Sequence, residues 1–179
     1  MPGFVGKSPQ PIFPMSIPFP FQSVAIALAL LALAGSNFAQ EEKERTFPKT
    51  SPEHQALTAS SPYLGNDKFT LRNDYWKGAL STDNGTAIRL QFFKGNTYRF
   101  FLGADTTALP AGAKLHLHIF DTKEKEVATS SGQAGQPSVA LHLEKVRKTD
   151  SYLVLMRVEP QAGPAAAVKV PAALFYGWE

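Results

Sequence analysis

Four side chains in this sequence have the types and spacing that could hold a metal ion. The stretch Lys114-Leu-His-Leu-His-Ile-Phe120 sets His116 and His118 two residues apart, so both imidazoles fall on one face if the segment is extended. A later stretch, Ser138-Val-Ala-Leu-His-Leu-Glu144, sets His142 and Glu144 two apart in the same way. Paired in the right register, the two strands would bring His116, His118, His142 and Glu144 onto one face. Three imidazoles and a carboxylate suit zinc or copper. The competing reading is that these residues are polar teeth on the outward face of a sheet, where histidine serves as well as glutamine or threonine. The second reading is favoured, because metal-ligating imidazoles need partners that orient them, and the sequence identifies none.

The other candidates are aromatic. Tyr75 and Trp76 stand near one end of the patterned region, and Tyr176 and Trp178 near the other. Exposed on a sheet, such rings could stack on sugars, which would make the chain a carbohydrate-binding module. Buried, they would plug the core where the two ends of the domain meet, as large aromatics usually do. Covalent catalysis finds little support. No Gly-x-Ser-x-Gly elbow occurs. Ser130 and Ser131 are read as loop residues with no base at hand, and Asp67, Asp74, Asp83, Asp105 and Asp121 fall where strands end, as turn formers do. No motif implies a cofactor. Asn84-Gly85-Thr86 matches a glycosylation acceptor, and its turn chemistry accounts for it equally well.

The elements that must position these residues are strands. From about Lys68 onward, short apolar segments of period two alternate with turn residues. Ile88, Leu90 and Phe92 share a face, as do Tyr98, Phe100 and Leu102, then Leu115, Leu117 and Ile119, then Val139, Leu141 and Leu143. The segment from Lys125 to Thr129 reads as an edge. Residues 150–160 are apolar on both faces, as in a central strand. Asn84-Gly85 predicts a tight hairpin between its flanking strands, since both central residues of that turn need φ > 0. About nine strands follow, with no apolar stripe of helical period. The expected fold is an all-β antiparallel sandwich of jelly-roll or Greek-key type over 67–179.

Ahead of the strands lie two segments of different character. Residues 8–40 carry no charge, and Val24 to Ala34 is an unbroken apolar run of eleven. That length suits a signal-peptide core and falls short of the ~20 residues of a bilayer span. Residues 1–39 are therefore read as a signal peptide, with Met15 as a possible true start. Cleavage is placed after Ala39, with Ser36 as the alternative, and retention as an anchor is the rival reading. Residues 40–66, polar and punctuated by Pro48, Pro52 and Pro62, are read as a flexible linker. The mature chain is then secreted or periplasmic, with no membrane span after cleavage.

Three stretches are similar to the bacterial pre-peptidase C-terminal domain family over about 68–176. They are Gly95-Asn-Thr-Tyr-Arg-Phe100, then Leu115 to Asp121 followed by Val127-Ala128, and finally Tyr152 to Met156 with Val158. The family usually places glycine before the penultimate tyrosine strand and after the aspartate of the middle strand, where this chain has Asp150-Ser151 and Thr122-Lys123. The resemblance implies a non-catalytic sandwich that helps an exported protein bind or stay soluble.

Composition narrows the rest. The 179 residues contain no cysteine, which removes disulfides, thiolate metal sites and thiol catalysis. A net charge of +3, with cations and anions interspersed, lacks the clustered basic face of a nucleic-acid binder. The chain reads as an exported, non-enzymatic module whose partner is a protein or a polysaccharide.

Overall fold

The structure is a computed structural model and describes residues 46–161 and 167–179. The expected signal segment, with its alternative start and cleavage sites, lies outside the described residues. The alternating segments form nine strands: β1 (Thr70–Leu71), β2 (Trp76–Ser81), β3 (Thr86–Phe92), β4 (Tyr98–Ala104), β5 (Lys114–Phe120), β6 (Glu126–Ser131), β7 (Ser138–Leu143), β8 (Asp150–Glu159) and β9 (Lys169–Trp178). One sheet has the order β2-β9-β4-β7, with β1 extending the β2 side of β9, and the other has the order β3-β8-β5-β6.

Every pairing is antiparallel, and four of them are nested: β2 with β9, β3 with β8, β4 with β7, β5 with β6. The chain is thus one long hairpin whose tip is the β5–β6 turn. Rolling that hairpin brings β9 beside β4 and β8 beside β5, which completes two sheets. This is the jelly roll expected from the sequence, with β6 at an edge and β8 in a centre as its pattern required. The stretches that carry the family resemblance form β4, β5 with β6, and β8.

Between the sheets lie the side chains that alternation assigned inward, among them Phe100, Leu102, Leu115, Leu117, Ile119, Val154 and Met156, all shielded from solvent. Each large apolar side chain buried there contributes about 1.5–3 kcal/mol. At one end of this core Tyr152, Phe92 and Tyr98 stack at centroid distances of 4.8 and 4.5 Å. The Tyr98 hydroxyl accepts a hydrogen bond from the Phe93 N–H at 2.9 Å.

Two expectations are corrected. Asn84-Gly85 does not close a hairpin, because β2 pairs with β9 in one sheet and β3 with β8 in the other. The turn crosses between sheets, and neither residue has a positive φ. Gly85 instead lies close to two movable side chains: an added Cβ would meet Leu155 Cδ1 at 2.6 Å and Arg157 Cγ at 3.0 Å unless they turned aside.

The flexible linker expected over 40–66 also fails where the chain is described. Pro52–Ser60 is a helix, α1, followed by a 3₁₀ turn at Ser61–Tyr63. Ser51 caps α1, accepting from the His54 N–H at 3.3 Å. Pro52 stands in the first turn, where its missing N–H costs nothing, and Glu53 favours the positive end of the helix. Helix α1 lies on the outer face of the β9–β4 pair, where Ala56, Phe69, Phe101, Ala173 and Phe175 form a second apolar cluster. Gly103 of β4 makes room for it: a Cβ there would collide with the Pro52 carbonyl oxygen and the Ala56 nitrogen. The Glu53 carboxylate, 2% exposed, is met by Lys77 Nζ of β2 at 2.6 Å, which fastens the helix to the sheet. Among the described residues no helix is long and apolar enough to cross a membrane.

Candidate binding face

The strand pairing decides the histidine question. β5 belongs to the β3-β8-β5-β6 sheet and β7 to the other, so no register can place their side chains together. His142 projects from the outer face of the opposite sheet, beside Arg99 in the β4–β7 register, and Glu144 is exposed beyond the end of β7. The proposed set of His116, His118, His142 and Glu144 is therefore not a metal site. Among the described residues no three His, Cys, Asp or Glu side chains converge to hold an ion.

The four aromatics are likewise not a sugar platform. Tyr75 stacks on Phe175 at 4.2 Å within the cluster under α1. Trp76 and Trp178 are half-buried against the main core, and the Trp76 ring folds over Gly78. Tyr176 is buried between Phe100 and the Arg72 guanidinium, which lies 5.3 Å from its ring centre. Burial raises the pKa of its hydroxyl above the usual tyrosine value. These rings close the domain where its ends meet, as the alternative reading expected.

What the structure does assemble is the outer face of β3, β8, β5 and β6. Cross-strand register sets Ala87, Leu155, His118 and Thr129 in one row, and Arg89, Leu153 and Phe120 in the next. Leu153, Leu155 and Phe120 are half-exposed, and Arg89 and Arg157 are exposed. The rings of His116, His118 and Phe120 stack along β5 at 6.3 and 6.2 Å.

Each imidazole is held by a different carboxylate. His118 Nδ1 lies 2.8 Å from Glu126 Oε2 and 3.1 Å from Thr129 Oγ1. A carboxylate only accepts, so this nitrogen carries the hydrogen toward Glu126. His116 Nδ1 meets Ser131 Oγ at 2.8 Å, and its Nε2 comes within 2.8 Å of Glu159 Oε2. The latter lies off the line of a hydrogen bond, which leaves Nε2 without a hydrogen-bonded partner.

Ser131, His116 and Glu159 thus form a chain that sequence reading missed, because Ser131 was taken as a loop residue and Glu159 lies across two strands. A hydroxyl, an imidazole and a carboxylate joined by hydrogen bonds are the parts of an activated nucleophile, and here the imidazole–carboxylate contact is not a hydrogen bond. Acyl transfer also needs donors for the developing oxyanion, commonly including the N–H that follows the nucleophile. Here the Gly132 N–H already donates to the Leu115 carbonyl at 2.8 Å. The arrangement orients an imidazole on an open face without the donors that would make Ser131 an acylating group.

At the tip of the long hairpin, the β5–β6 turn and the β7–β8 loop enclose a cleft of about 660 Å³. Lys123, Lys125, Lys145 and Arg147 line it together with Asp121, Glu126, Glu144 and Asp150, so its charge is mixed. Asp121 is occupied by the turn itself, accepting from the N–H groups of Lys123 and Lys125. Asp150 is held by Lys148 at 2.7 Å, which lowers its pKa.

No family model matches the sequence, and the search of curated proteins finds no match. Among solved structures, the chain is similar to PliG of Aeromonas hydrophila, a periplasmic lysozyme inhibitor of g-type lysozyme. The identity is 14%, with 59% of this chain and 85% of that one covered at a TM-score of 0.42.

Proposed function

We propose that this jelly roll is the non-catalytic binding module of an exported protein, and that it engages a protein partner through the open outer face of β3, β8, β5 and β6. One observation carries this reading. The outer face of the other sheet is sealed by the chain's own helix and aromatic cluster, whereas this face presents Leu153, Leu155 and Phe120 among arginines and oriented imidazoles. An apolar centre rimmed by polar groups is the anatomy of a protein interface. Arginine and aromatic anchors carry most of the energy in such interfaces. The likeness to the pre-peptidase C-terminal family is compatible with this reading, since it implies a module that helps an exported protein bind or stay soluble. Among the described residues, a polysaccharide partner finds no exposed row of tyrosine or tryptophan rings to stack on.

The test is site-specific photo-cross-linking in the cell that makes the protein. A benzophenone side chain at Leu155 should give a discrete adduct with a partner protein, and the same group at Thr58, on the exposed side of α1, should not. Equal adducts from both positions, or none from Leu155, would remove the reading. Labelling of Ser131 by a fluorophosphonate would replace it with a hydrolytic one.

A further inference from the structure

We infer that the partner engages β3 by strand addition, and that its docking segment is an extended peptide with apolar and acidic residues in alternation. This deepens the binding reading above and rests on it.

The sandwich has four lateral edges, and three are blunted. β6 is short and polar, and a register shift between Ile119 and Phe120 interrupts its pairing with β5. β7 follows Pro137 and approaches β6, closing that side. β2 is occupied at Lys77 by Glu53 and leans against β8. Bulges, prolines and cover are the ordinary means of keeping an edge from pairing with other chains.

β3 has none of them. Its seven residues, Thr86–Phe92, contain no glycine or proline and pair with β8 in unbroken register along one side only. Among the described residues, no loop or side chain bonds to the backbone along its other side. Its alternate N–H and C=O groups there are open to a new strand. Two further features of β3 specify what that strand carries. Ile88 and Leu90 point inward yet remain half-exposed, although their partners Val154 and Tyr152 are buried. An added strand with apolar side chains on its inner face would cover them. Arg89 lies between these two on the outer face, exposed, and neither it nor Arg157 has a carboxylate partner among the described residues. An acidic residue opposite Arg89 completes the pair. The same group argues against a second copy of this chain, because pairing two β3 strands over their full length sets Arg89 directly opposite Arg89.

The probes are two synthetic seven-residue peptides, one alternating Val with Glu and one alternating Val with Lys, added to the full mature chain. Amide hydrogen exchange should show the β3 amides becoming protected by the Val/Glu peptide while the β6 and β7 amides stay unchanged. Binding should be about two- to five-fold tighter for Val/Glu than for Val/Lys. The Arg89→Glu variant, whose thermal unfolding should match the parent because the side chain is exposed, should reverse that preference. Equal affinity for both peptides, protection at β6 or β7 instead of β3, or a self-associated chain whose β3 amides are already protected would each overturn strand addition. The Leu155 adduct is read separately. If it persists while β3 stays unprotected, strand addition falls and the open-face reading stands. If it is lost, the open-face reading falls with whatever the peptides show.

Discussion

The outer face of the β2-β9-β4-β7 sheet carries Phe101, Gly103, Ala173 and Phe175, all packed beneath α1 and its neighbours. The outer face of β3, β8, β5 and β6 carries Phe120, Leu153 and Leu155 at comparable positions, half-exposed. Helix α1 packs on β4, β9 and β7, and no second α-helix is found among the described residues. Among the described residues, one sheet is therefore covered on both sides and the other on one. The composition of the two faces follows. The sealed one uses aromatics and a glycine that admits a helix backbone. The open one mixes leucines with arginine, histidine and hydroxyl residues, which tolerate water and still offer a partner something to grip.

The sharpest way to break this comparison is to truncate one apolar residue on each face. Phe101→Ala removes a ring packed edge-on against Phe69 and tilted against Tyr63. It should cost about 3–5 kcal/mol, because the sheet and helix cannot both relax into the space. Leu155→Ala removes a side chain already partly in water and should cost less, about 1–2 kcal/mol. Urea midpoints of the two variants measure the difference directly. Similar losses at both positions would mean that the open face is structural and not held in reserve.

A smaller effect separates the faces through their glycines. A methyl group on Gly103 meets the backbone of Pro52 and Ala56, which can yield only if α1 lifts. Gly103→Ala should cost about 1–3 kcal/mol and open residues 46–66 to protease. A methyl group on Gly85 meets the ends of Leu155 and Arg157, which can rotate away into solvent. Gly85→Ala should therefore leave the urea midpoint nearly unchanged.

Alternation alone revealed the strands and which of their residues face inward, because period two is a local property of the chain. Which strands share a sheet was not legible. β5 and β7 look alike in sequence, yet a nested hairpin sends them to opposite layers, and with them His118 and His142. Asn84-Gly85 misled for the same reason, since a tight turn and a crossing between sheets use the same residues. The helix was hidden by its own brevity. Nine residues with four alanines, serines or threonines show no apolar stripe, and their burial depends on Phe101 and Phe175, more than forty positions downstream. The one available signal was Ser51-Pro52-Glu53, a cap, a first-turn proline and a first-turn acid in succession.

The smallest expected effect tests how the sealed face is tied down at its margin. Asp105 stands where β4 ends, and its Oδ1 accepts from the Thr107 hydroxyl at 2.6 Å and the Thr107 N–H at 2.8 Å. Those bonds favour the ionised form and hold its carboxyl below the usual aspartate value. The same turn fastens the segment leading into α1, since the Thr106 N–H donates to the Thr50 carbonyl at 3.0 Å. A depressed folded-state pKa contributes stability above the unfolded value of about 3.9, and that contribution is lost as pH falls through the folded value. Asp105→Asn keeps an acceptor oxygen and discards the charge. The variant should unfold at lower urea than the parent at about pH 7, and the gap should narrow as pH falls below the unfolded value and through the lower folded value, where the parent's carboxyl becomes neutral as well. A gap that stays constant with pH would show that Thr107 orders this turn without help from the charge, and that α1 is held by its apolar contacts and the Glu53–Lys77 pair.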